Sequence, residues 1–172
     1  TAFDTGPGNV MIDQVFRVCF RSKAGIDHGG EMASKGSVSK ELLRSLMRHP
    51  FIKKDPPKTT GREEFGRVLV DKVLKRAKCL GLDRYDLLAT VTSFTAESII
   101  YNSRGFIKKG LDEVIVGGGG TRNRCLMRFL REGFNPVKVS VFEDHKISSR
   151  AIEAMAFALL AYETIHGRPN NL

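Results

Sequence analysis

The chain has 172 residues, of which 41% are hydrophobic and 27% are charged, and its 28 Lys and Arg against 19 Asp and Glu give a formal net charge of +9. This composition is typical of a single globular domain and excludes disordered, collagen-like and fibrous classes. The longest uninterrupted apolar run, Ala154 to Tyr162, is far shorter than the roughly 20 residues that span a bilayer, so we predict no membrane helix. Three widely spaced cysteines, Cys19, Cys79 and Cys125, favour reduced thiols in a cytoplasmic protein over a disulfide framework.

The first two thirds of the chain predict mainly helices. Residues 1–9 indicate the end of a strand that runs into a glycine turn, and apolar spacing predicts helices at 10–20, 39–48, 62–79 and 83–106. Ser39 and Asp83 are the expected N-caps of the second and fourth helices. The segment 50–61 contains two adjacent prolines and predicts a loop.

The last third predicts a βαβ unit. The segments 114–116 and 137–142 have the β-branched or alternating pattern of strands, and an amphipathic helix is predicted between them at 123–132. A final helix at 151–165 is rich in Ala, Leu and Phe, so we expect it to be largely buried. Residues 1–172 together predict one helix-rich α/β domain.

The first candidate site is the segment Asp4-Thr5-Gly6-Pro7-Gly8-Asn9. A turn that opens a helix presents backbone amides to an anion, so the segment is suited to bind phosphate. Asp4 could then act as a base or hold a cation. An aspartate that only caps the helix in a tight turn is an equally good interpretation.

The second candidate site is the run Gly117 to Gly120, which follows a predicted strand. Nucleotides bind at such strand-to-helix turns in open α/β sheets. The run matches neither the dinucleotide pattern GxGxxG nor the phosphate loop that ends in GK[ST]. Because four successive glycines are entropically unfavourable, close approach of a ligand explains them better than a flexible turn.

Two further segments contain charged candidates. Lys58 and Arg62, with two threonine hydroxyls between them, form an exposed loop suited to phosphate or sugar hydroxyls. The same loop could be a solvated linker with a capping box of Thr60 and Glu63, and both interpretations can hold together. Glu153, a lone acid at the start of the apolar final helix, either compensates the helix dipole or meets a polar ligand at the edge of the core.

In this order, these segments resemble the C-terminal half of the anhydro-N-acetylmuramic acid kinases, which are related to levoglucosan kinase within the sugar kinase and actin superfamily. The resemblance covers nearly the whole chain. It is carried by 3–9 with Asp13, the glycines and alanine of 27–36, the Pro57-Lys58-x-Thr60-Gly61-Arg62-Glu63 loop, 118–120 with Asn123, and 153–158.

The resemblance implies a ribonuclease-H-like lobe of a two-lobed sugar kinase that closes around ATP, Mg²⁺ and a 1,6-anhydro sugar. Asp4 matches the catalytic base, which activates the water that opens the anhydro ring while O6 accepts the γ-phosphoryl group. No metal ligand is assigned. The implied cofactor contacts are Thr5, Gly6, Gly8 and Asn9 for the phosphates and Gly118, Gly119, Gly120 and Asn123 for adenosine; Glu153, with Lys58 and Arg62, is expected to contact substrate.

The family's N-terminal lobe carries a Gly-Thr-Ser-x-Asp-Gly phosphate loop that does not occur in this sequence. We therefore expect half of the active site to lie outside the chain, and the 172 residues alone to be inactive. The resemblance also suggests a homodimer that acts in cell-wall amino sugar recycling. The alternative that the chain is a non-catalytic kinase lobe and serves as an interaction module stays open. Nucleic-acid binding is less well supported, because the basic residues are dispersed and the chain has no Trp.

Overall fold

The structure, a computed structural model, describes residues 2–22, 25–107, 110–149 and 151–170, and the side chain of Glu153 lies outside this description. In chain order the helices are α1 Val10–Phe20, α2 Lys40–Leu46, α3 Pro50–Lys53, α4 Arg62–Phe65, α5 Arg67–Cys79, α6 Arg84–Phe106, α7 Arg124–Phe134 and α8 Ile152–Ile165; the strands are β1 Glu113–Val116 and β2 Lys138–Val141. None of the described helices combines the length and apolar composition needed to cross a membrane.

Helix α6 is the centre of the fold. Its first half is fully buried at Leu88, Val91 and Phe94, against which α1, α2 and the connection 25–36 pack. Asp83 starts the helix as predicted, because its side chain accepts hydrogen bonds from the backbone N–H groups of Tyr85 and Asp86, both at 2.8 Å. The second half of α6 packs against α7 in a separate apolar cluster that includes the sheet.

The two strands form a parallel pair in which Glu113 lies opposite Lys138. Helix α7 connects them, so the predicted βαβ unit and the helix-rich α/β class are confirmed. The valines of both strands pack into the α7 cluster. The opposite face carries Ile115 beside polar residues, and there Lys138 Nζ lies 2.9 Å from Glu113 Oε1. Residues 2–5 form no strand within the described part of the chain, which differs from the prediction for 1–9.

The region 50–79 differs from its prediction in three places. Pro50 to Lys53 form a short helix, because His49 Nδ1 accepts from the N–H of Phe51 and proline fits the first helical turn. The single helix predicted at 62–79 breaks at Gly66, whose backbone is extended and packs so closely on the Arg62 carbonyl that a Cβ would overlap it. The capping box is wrong as well: Gly61 precedes α4 and no side chain caps that helix.

Helix α8 is exposed, so the prediction that it is largely buried is wrong. Successive side chains of a helix point about 100° apart around its axis. Because nearly every residue of α8 is apolar, its apolar side chains surround the whole helix. The described residues do not cover it: the exposed fractions lie between 41% and 81% for Met155, Phe157, Leu159, Leu160, Tyr162 and Ile165. A helix that is apolar on all sides is normally an interior element.

Candidate active site

The carboxylate of Asp4 is held by the loop that precedes α4. Its Oδ2 atom accepts hydrogen bonds from Thr59 Oγ1 at 2.9 Å and from the Thr60 N–H at 2.8 Å. Its backbone N–H donates to the Lys58 carbonyl at 3.0 Å. Among the described residues, no hydrogen bond reaches the second carboxylate oxygen of Asp4. The helix-capping interpretation of Asp4 is therefore wrong, and the half-buried carboxylate keeps one oxygen for other partners.

A second polar atom beside Asp4 lacks a partner. The hydroxyl oxygen of Thr60 is buried, and within the described ranges no donor or acceptor bonds to it. Such an atom costs about 1–3 kcal/mol when it stays unsatisfied. The neighbouring backbone N–H is the one that binds Asp4, so this hydroxyl lies close to the carboxylate. A buried water at this point would satisfy it.

The turn between Asp4 and α1 is seated on helix α6. A Cβ on Gly6 would lie 2.5 Å from Ser98 Oγ and 2.9 Å from Ser98 Cβ, so Gly6 is required by helix contact rather than by a ligand. Gly8 has φ +53° and open space around it, and its carbonyl accepts from Thr95 Oγ1 at 2.9 Å. Gly8 is therefore the glycine of this turn that a ligand can approach.

Lys58 does not stand in an exposed loop, and the prediction that it contacts substrate is corrected on that ground. Its side chain is only 5% exposed, and its ammonium donates to the carbonyls of Phe51 and Ile52 and to Asn102 Oδ1. The rings of Phe51 and Phe106 lie 5.1 and 5.2 Å from Nζ. Burial lowers the pKa of Lys58, against the opposing effect of Asp55. An ammonium with three internal acceptors has no donor left for substrate.

Asn102 is a residue that the sequence analysis missed. It is fully buried in the last third of α6, and its Nδ2 donates to the carbonyl of Thr5 at 3.1 Å and to that of Ser98 at 2.8 Å. Asn102 thus connects Lys58 with the residue that follows Asp4. The available signal was its spacing: it lies four residues after Ser98 and eight after Phe94, on the buried side of α6.

Arg62 lies apart from Asp4. It is exposed and lines a groove of about 460 Å³ with Gln14, Arg17 and Arg67, and this groove does not include Asp4. Arg67 is paired there with Asp71 at 3.4 Å. The structure therefore does not bring Lys58 and Arg62 together at one substrate site, as the loop sequence had suggested.

The Asn9 end of the first turn does meet the glycine loop. Asn9 and Gly119 line one cleft of about 300 Å³, and a Cβ on Gly120 would lie 3.4 Å from Asn9 Oδ1. The two loops predicted to bind the nucleotide are therefore neighbours. The remaining lining of this cleft is Ile12, Asp13, Ile26, Asp27, His28, Gly29, Arg122 and Asn123.

Two carboxylates line this cleft, and they differ in their hydrogen bonds. Asp27 is occupied, since its oxygens accept from the N–H groups of Met32 and Ala33 at 3.0 and 2.9 Å. Asp13 keeps its carboxylate for the cleft, and burial raises its pKa while Arg17 opposes that effect. No group of three His, Cys, Asp or Glu in the described part of the chain could enclose a metal ion.

A second cleft, of about 390 Å³, opens on the other side of the glycine loop. Gly118 has φ +79°, and no atom lies within 4 Å of the point that a Cβ would occupy, so a ligand can approach its backbone. Gly117 is instead fixed by packing, because a Cβ there would lie 2.5 Å from Phe142 Cε2. Glu143 accepts from the N–H and hydroxyl of Ser149, and these bonds lower its pKa. The cleft is lined by Gly118, Gly119, Thr121, Arg122, Glu143, Ser148 and Ser149.

Asn123 has a structural role beside the cleft. Its Oδ1 accepts from the Leu126 N–H at 3.0 Å and so caps α7. The backbone of Gly30 packs directly against this side chain, and a Cβ on Gly30 would overlap it. Asn123 therefore fixes the start of α7 and packs against Gly30, which follows the cleft-lining residues His28 and Gly29.

Comparison with known proteins decides the family. The family model described as anhydro-N-acetylmuramic acid kinase matches residues 1–172. The chain belongs to this family. The resemblance that the motifs carried is thereby confirmed.

Curated relatives agree with this membership. The chain is 46% identical over 173 residues to the anhydro-N-acetylmuramic acid kinase of Caldanaerobacter subterraneus subsp. tengcongensis, which covers 99% of the chain and 44% of that protein. It is 46% identical over 175 residues to the enzyme of the same name from Bacillus cereus strain Q1, covering 99% and 45%. It is 43% identical over 173 residues to the anhydro-N-acetylmuramic acid kinase of Clostridioides difficile strain 630, and this match covers 99% of the chain and 44% of that protein. The chain thus spans less than half the length of these anhydro-N-acetylmuramic acid kinases.

Proposed function

We propose that this chain supplies one lobe of an ATP-dependent kinase that acts on 1,6-anhydro-N-acetylmuramic acid or a close analogue. In the reaction, water opens the anhydro ring and the freed O6 receives the γ-phosphoryl group of ATP. The observation that carries the proposal is the bonding of Asp4, whose carboxylate is anchored through one oxygen and open at the other. Membership of the anhydro-N-acetylmuramic acid kinase family supports the substrate class.

Asp4 is proposed as the general base. A base must stand within hydrogen-bond reach of the water it deprotonates, and it is most effective when its geometry is fixed in advance. Thr59 and Thr60 hold Oδ2, so the other oxygen can accept the proton as water attacks the anomeric carbon. Attack by water that is activated by a carboxylate is the arrangement of inverting glycosidases.

The nucleotide is proposed to bind around the glycine loop. The clefts on its two sides have volumes of about 300 and 390 Å³, within the range of small-molecule sites, and Gly118 leaves its backbone accessible. ATP supplies the phosphoryl group, and the turn from Thr5 to Asn9 lies beside the loop to hold its phosphates. Mg²⁺ commonly binds one or two carboxylates together with substrate phosphates, so Asp13 alone is a sufficient protein ligand from this lobe.

The proposed site is incomplete within this chain. The relatives are more than twice as long as the matched region, and α8 presents apolar side chains on all sides. We propose that the lobe formed by this chain is ribonuclease-H-like. The other lobe of the two-lobed enzyme would cover α8 and supply the second phosphate loop. The proposed sugar contact of Glu153 at the start of α8 lies outside the described side chains. A homodimer of the complete enzyme remains part of the proposal.

The test uses the full-length protein that contains this chain, with ATP and 1,6-anhydro-N-acetylmuramic acid as substrates. Mass spectrometry should find a product heavier than the sugar by one phosphoryl group plus one water, and a coupled assay should follow ADP. Asp4→Asn should lower kcat by about 10²–10⁴-fold. Asp112→Asn, which changes an exposed carboxylate before β1, is the matched control and should keep the rate.

The outcome separates the proposals. Undiminished turnover by Asp4→Asn would remove Asp4 as the base, and a phosphorylated product without added water would exclude ring opening by water. The 172-residue chain alone should show no turnover. Measurable kinase activity from it would contradict the two-lobed site and leave the family membership intact.

A further inference from the structure

Lys58 is a charged residue inside the protein, and its surroundings explain how the charge is tolerated. A buried ammonium is strongly unfavourable unless its donors are satisfied. Lys58 Nζ donates to the carbonyls of Phe51 and Ile52 at 3.2 and 3.3 Å and to Asn102 Oδ1 at 2.5 Å. These three acceptors match the three donors of the ammonium group. The lysine is thus fixed between the end of α3 and the last third of α6.

The same two residues hold the backbone on both sides of the Asp4 side chain. The N–H of Asp4 donates to the carbonyl of Lys58, and the carbonyl of Thr5 accepts from Asn102 Nδ2. The backbone that carries Asp4 is therefore tied to Lys58 before the side chain and to Asn102 after it. Rotation of the carboxylate is limited in turn by Thr59 and Thr60. The described bonds form one continuous network from α6 to the carboxylate.

An apolar residue of similar length could fill the space of Lys58 between two phenylalanine rings. It would, however, remove the donor from Asn102 Oδ1 and from the carbonyls of Phe51 and Ile52, and a buried group left without its partner costs about 1–3 kcal/mol. What an apolar residue cannot do is join the α3 carbonyls to Asn102. That junction fixes where the Asp4 turn sits on α6.

We propose that Lys58 and Asn102 are positioning residues that hold Asp4 at the distance and angle needed for base catalysis. This inference rests on the proposed function, in which Asp4 is the base. Neither residue touches substrate. Their effect is transmitted through the backbone at Asp4 and Thr5, where a displacement of about 1 Å can lower a rate by about 10²-fold.

Lys58→Met and Asn102→Asp test this in the full-length protein. Asn102→Asp keeps an acceptor for Lys58 but removes the amide donor to Thr5, so it separates the two bonds. For both variants kcat should fall at least about tenfold, while KM for ATP changes less than about twofold. Lys53→Met, an exposed lysine of α3, is the matched control and should keep both parameters.

Hydrogen exchange gives a readout that does not depend on activity. Exchange of the Asp4 amide should be at least about tenfold faster in Lys58→Met, while the amides in the centre of α6 keep their protection. Unchanged exchange at Asp4 would overturn the inference even if the protein proves to have another activity. Unchanged kcat in both variants of an active enzyme would overturn it as well.

The two proposals fail in distinguishable ways. An active full-length enzyme whose Asp4→Asn variant keeps its full rate removes Asp4 as the base and leaves the kinase activity standing, whatever the exchange data show. An enzyme that needs Asp4 but tolerates Lys58→Met and Asn102→Asp removes only the positioning role. If Lys58→Met does not fold, Asn102→Asp alone decides, since it keeps an oxygen acceptor for the Lys58 ammonium.

Discussion

Substitution of Gly6 by alanine tests whether the Asp4 turn is seated on α6. The added Cβ would lie 2.5 Å from Ser98 Oγ and 2.9 Å from Ser98 Cβ, and Ile52 Cδ1 is the next atom at 3.4 Å. Both atoms belong to Ser98 inside a 23-residue helix, and the Cβ position is fixed by the helix backbone, so rotation of the hydroxyl alone cannot relieve the overlap. We expect a loss of about 1–3 kcal/mol of unfolding free energy, the usual range for overpacking.

The assay is urea unfolding of the chain, with Ser98→Gly as the second half of a double-mutant cycle. Ser98→Gly removes both contacted atoms and by itself costs about 1 kcal/mol, because glycine is unfavourable inside a helix. In the Ser98→Gly protein, the loss of unfolding free energy caused by Gly6→Ala should be at most half of the loss in the wild type. Contacting residues typically give such coupling energies of about 0.5–3 kcal/mol.

Gly8→Ala is the matched control in the same turn. Gly8 has φ +53° and nothing within reach of an added Cβ, so its loss of about 1 kcal/mol should come from the left-handed backbone alone. Ser98→Gly should not relieve it. An unfolding midpoint that is unchanged in Gly6→Ala, or equal relief of both alanine variants by Ser98→Gly, would refute the proposed seating.

Three other predictions concern the remaining parts of the fold. Asn123→Ala should lower the unfolding free energy by about 0.5–2 kcal/mol, because α7 loses its cap, and urea unfolding measures this loss. Phe94→Ala should cost about 3–5 kcal/mol and Phe157→Ala less than about 0.5 kcal/mol in the isolated chain, since Phe94 is fully buried and Phe157 is 72% exposed. The hydrogen bond from Lys138 holds the pKa of Glu113 below its ordinary 4.5. The contribution of Glu113 to the free energy of unfolding is therefore present at neutral pH and is lost as the pH falls through the lowered pKa. The stability difference between wild type and Glu113→Gln should therefore shrink in acid, and a difference that persists there would contradict the assignment.

Features with a local signal were predictable from the sequence. Helix α6 follows a capping aspartate, and α7 begins at a capping asparagine. Each cap acts within three residues of its own position, so the pattern and the structure agree. The βαβ unit could be predicted for the same reason, because its strands and its connecting helix are consecutive.

Features that depend on distant residues could not be predicted. Lys58 meets an acceptor 44 positions away in Asn102, and without that partner a lysine before a helix indicates an exposed loop. Asp4 could be chosen as a candidate from its own turn sequence. Its hydrogen bonds with Thr59 and Thr60, more than 50 positions away, could be found only in the structure.

The exposed helix α8 links the packing of the fold to the proposed two-lobed enzyme. Burial of one large apolar side chain contributes about 1.5–3 kcal/mol, and α8 exposes six of them. A second lobe that covers α8 would gain at most on the order of 10 kcal/mol from burial, and only the surplus over the cost of association would appear as docking free energy. Phe157→Ala, expected to be nearly neutral in the isolated chain, should then cost at least about 2 kcal/mol in the full-length protein. Equal effects of Phe157→Ala in the two proteins would mean that the second lobe leaves α8 uncovered, because a side chain that stays in water cannot lose buried contacts.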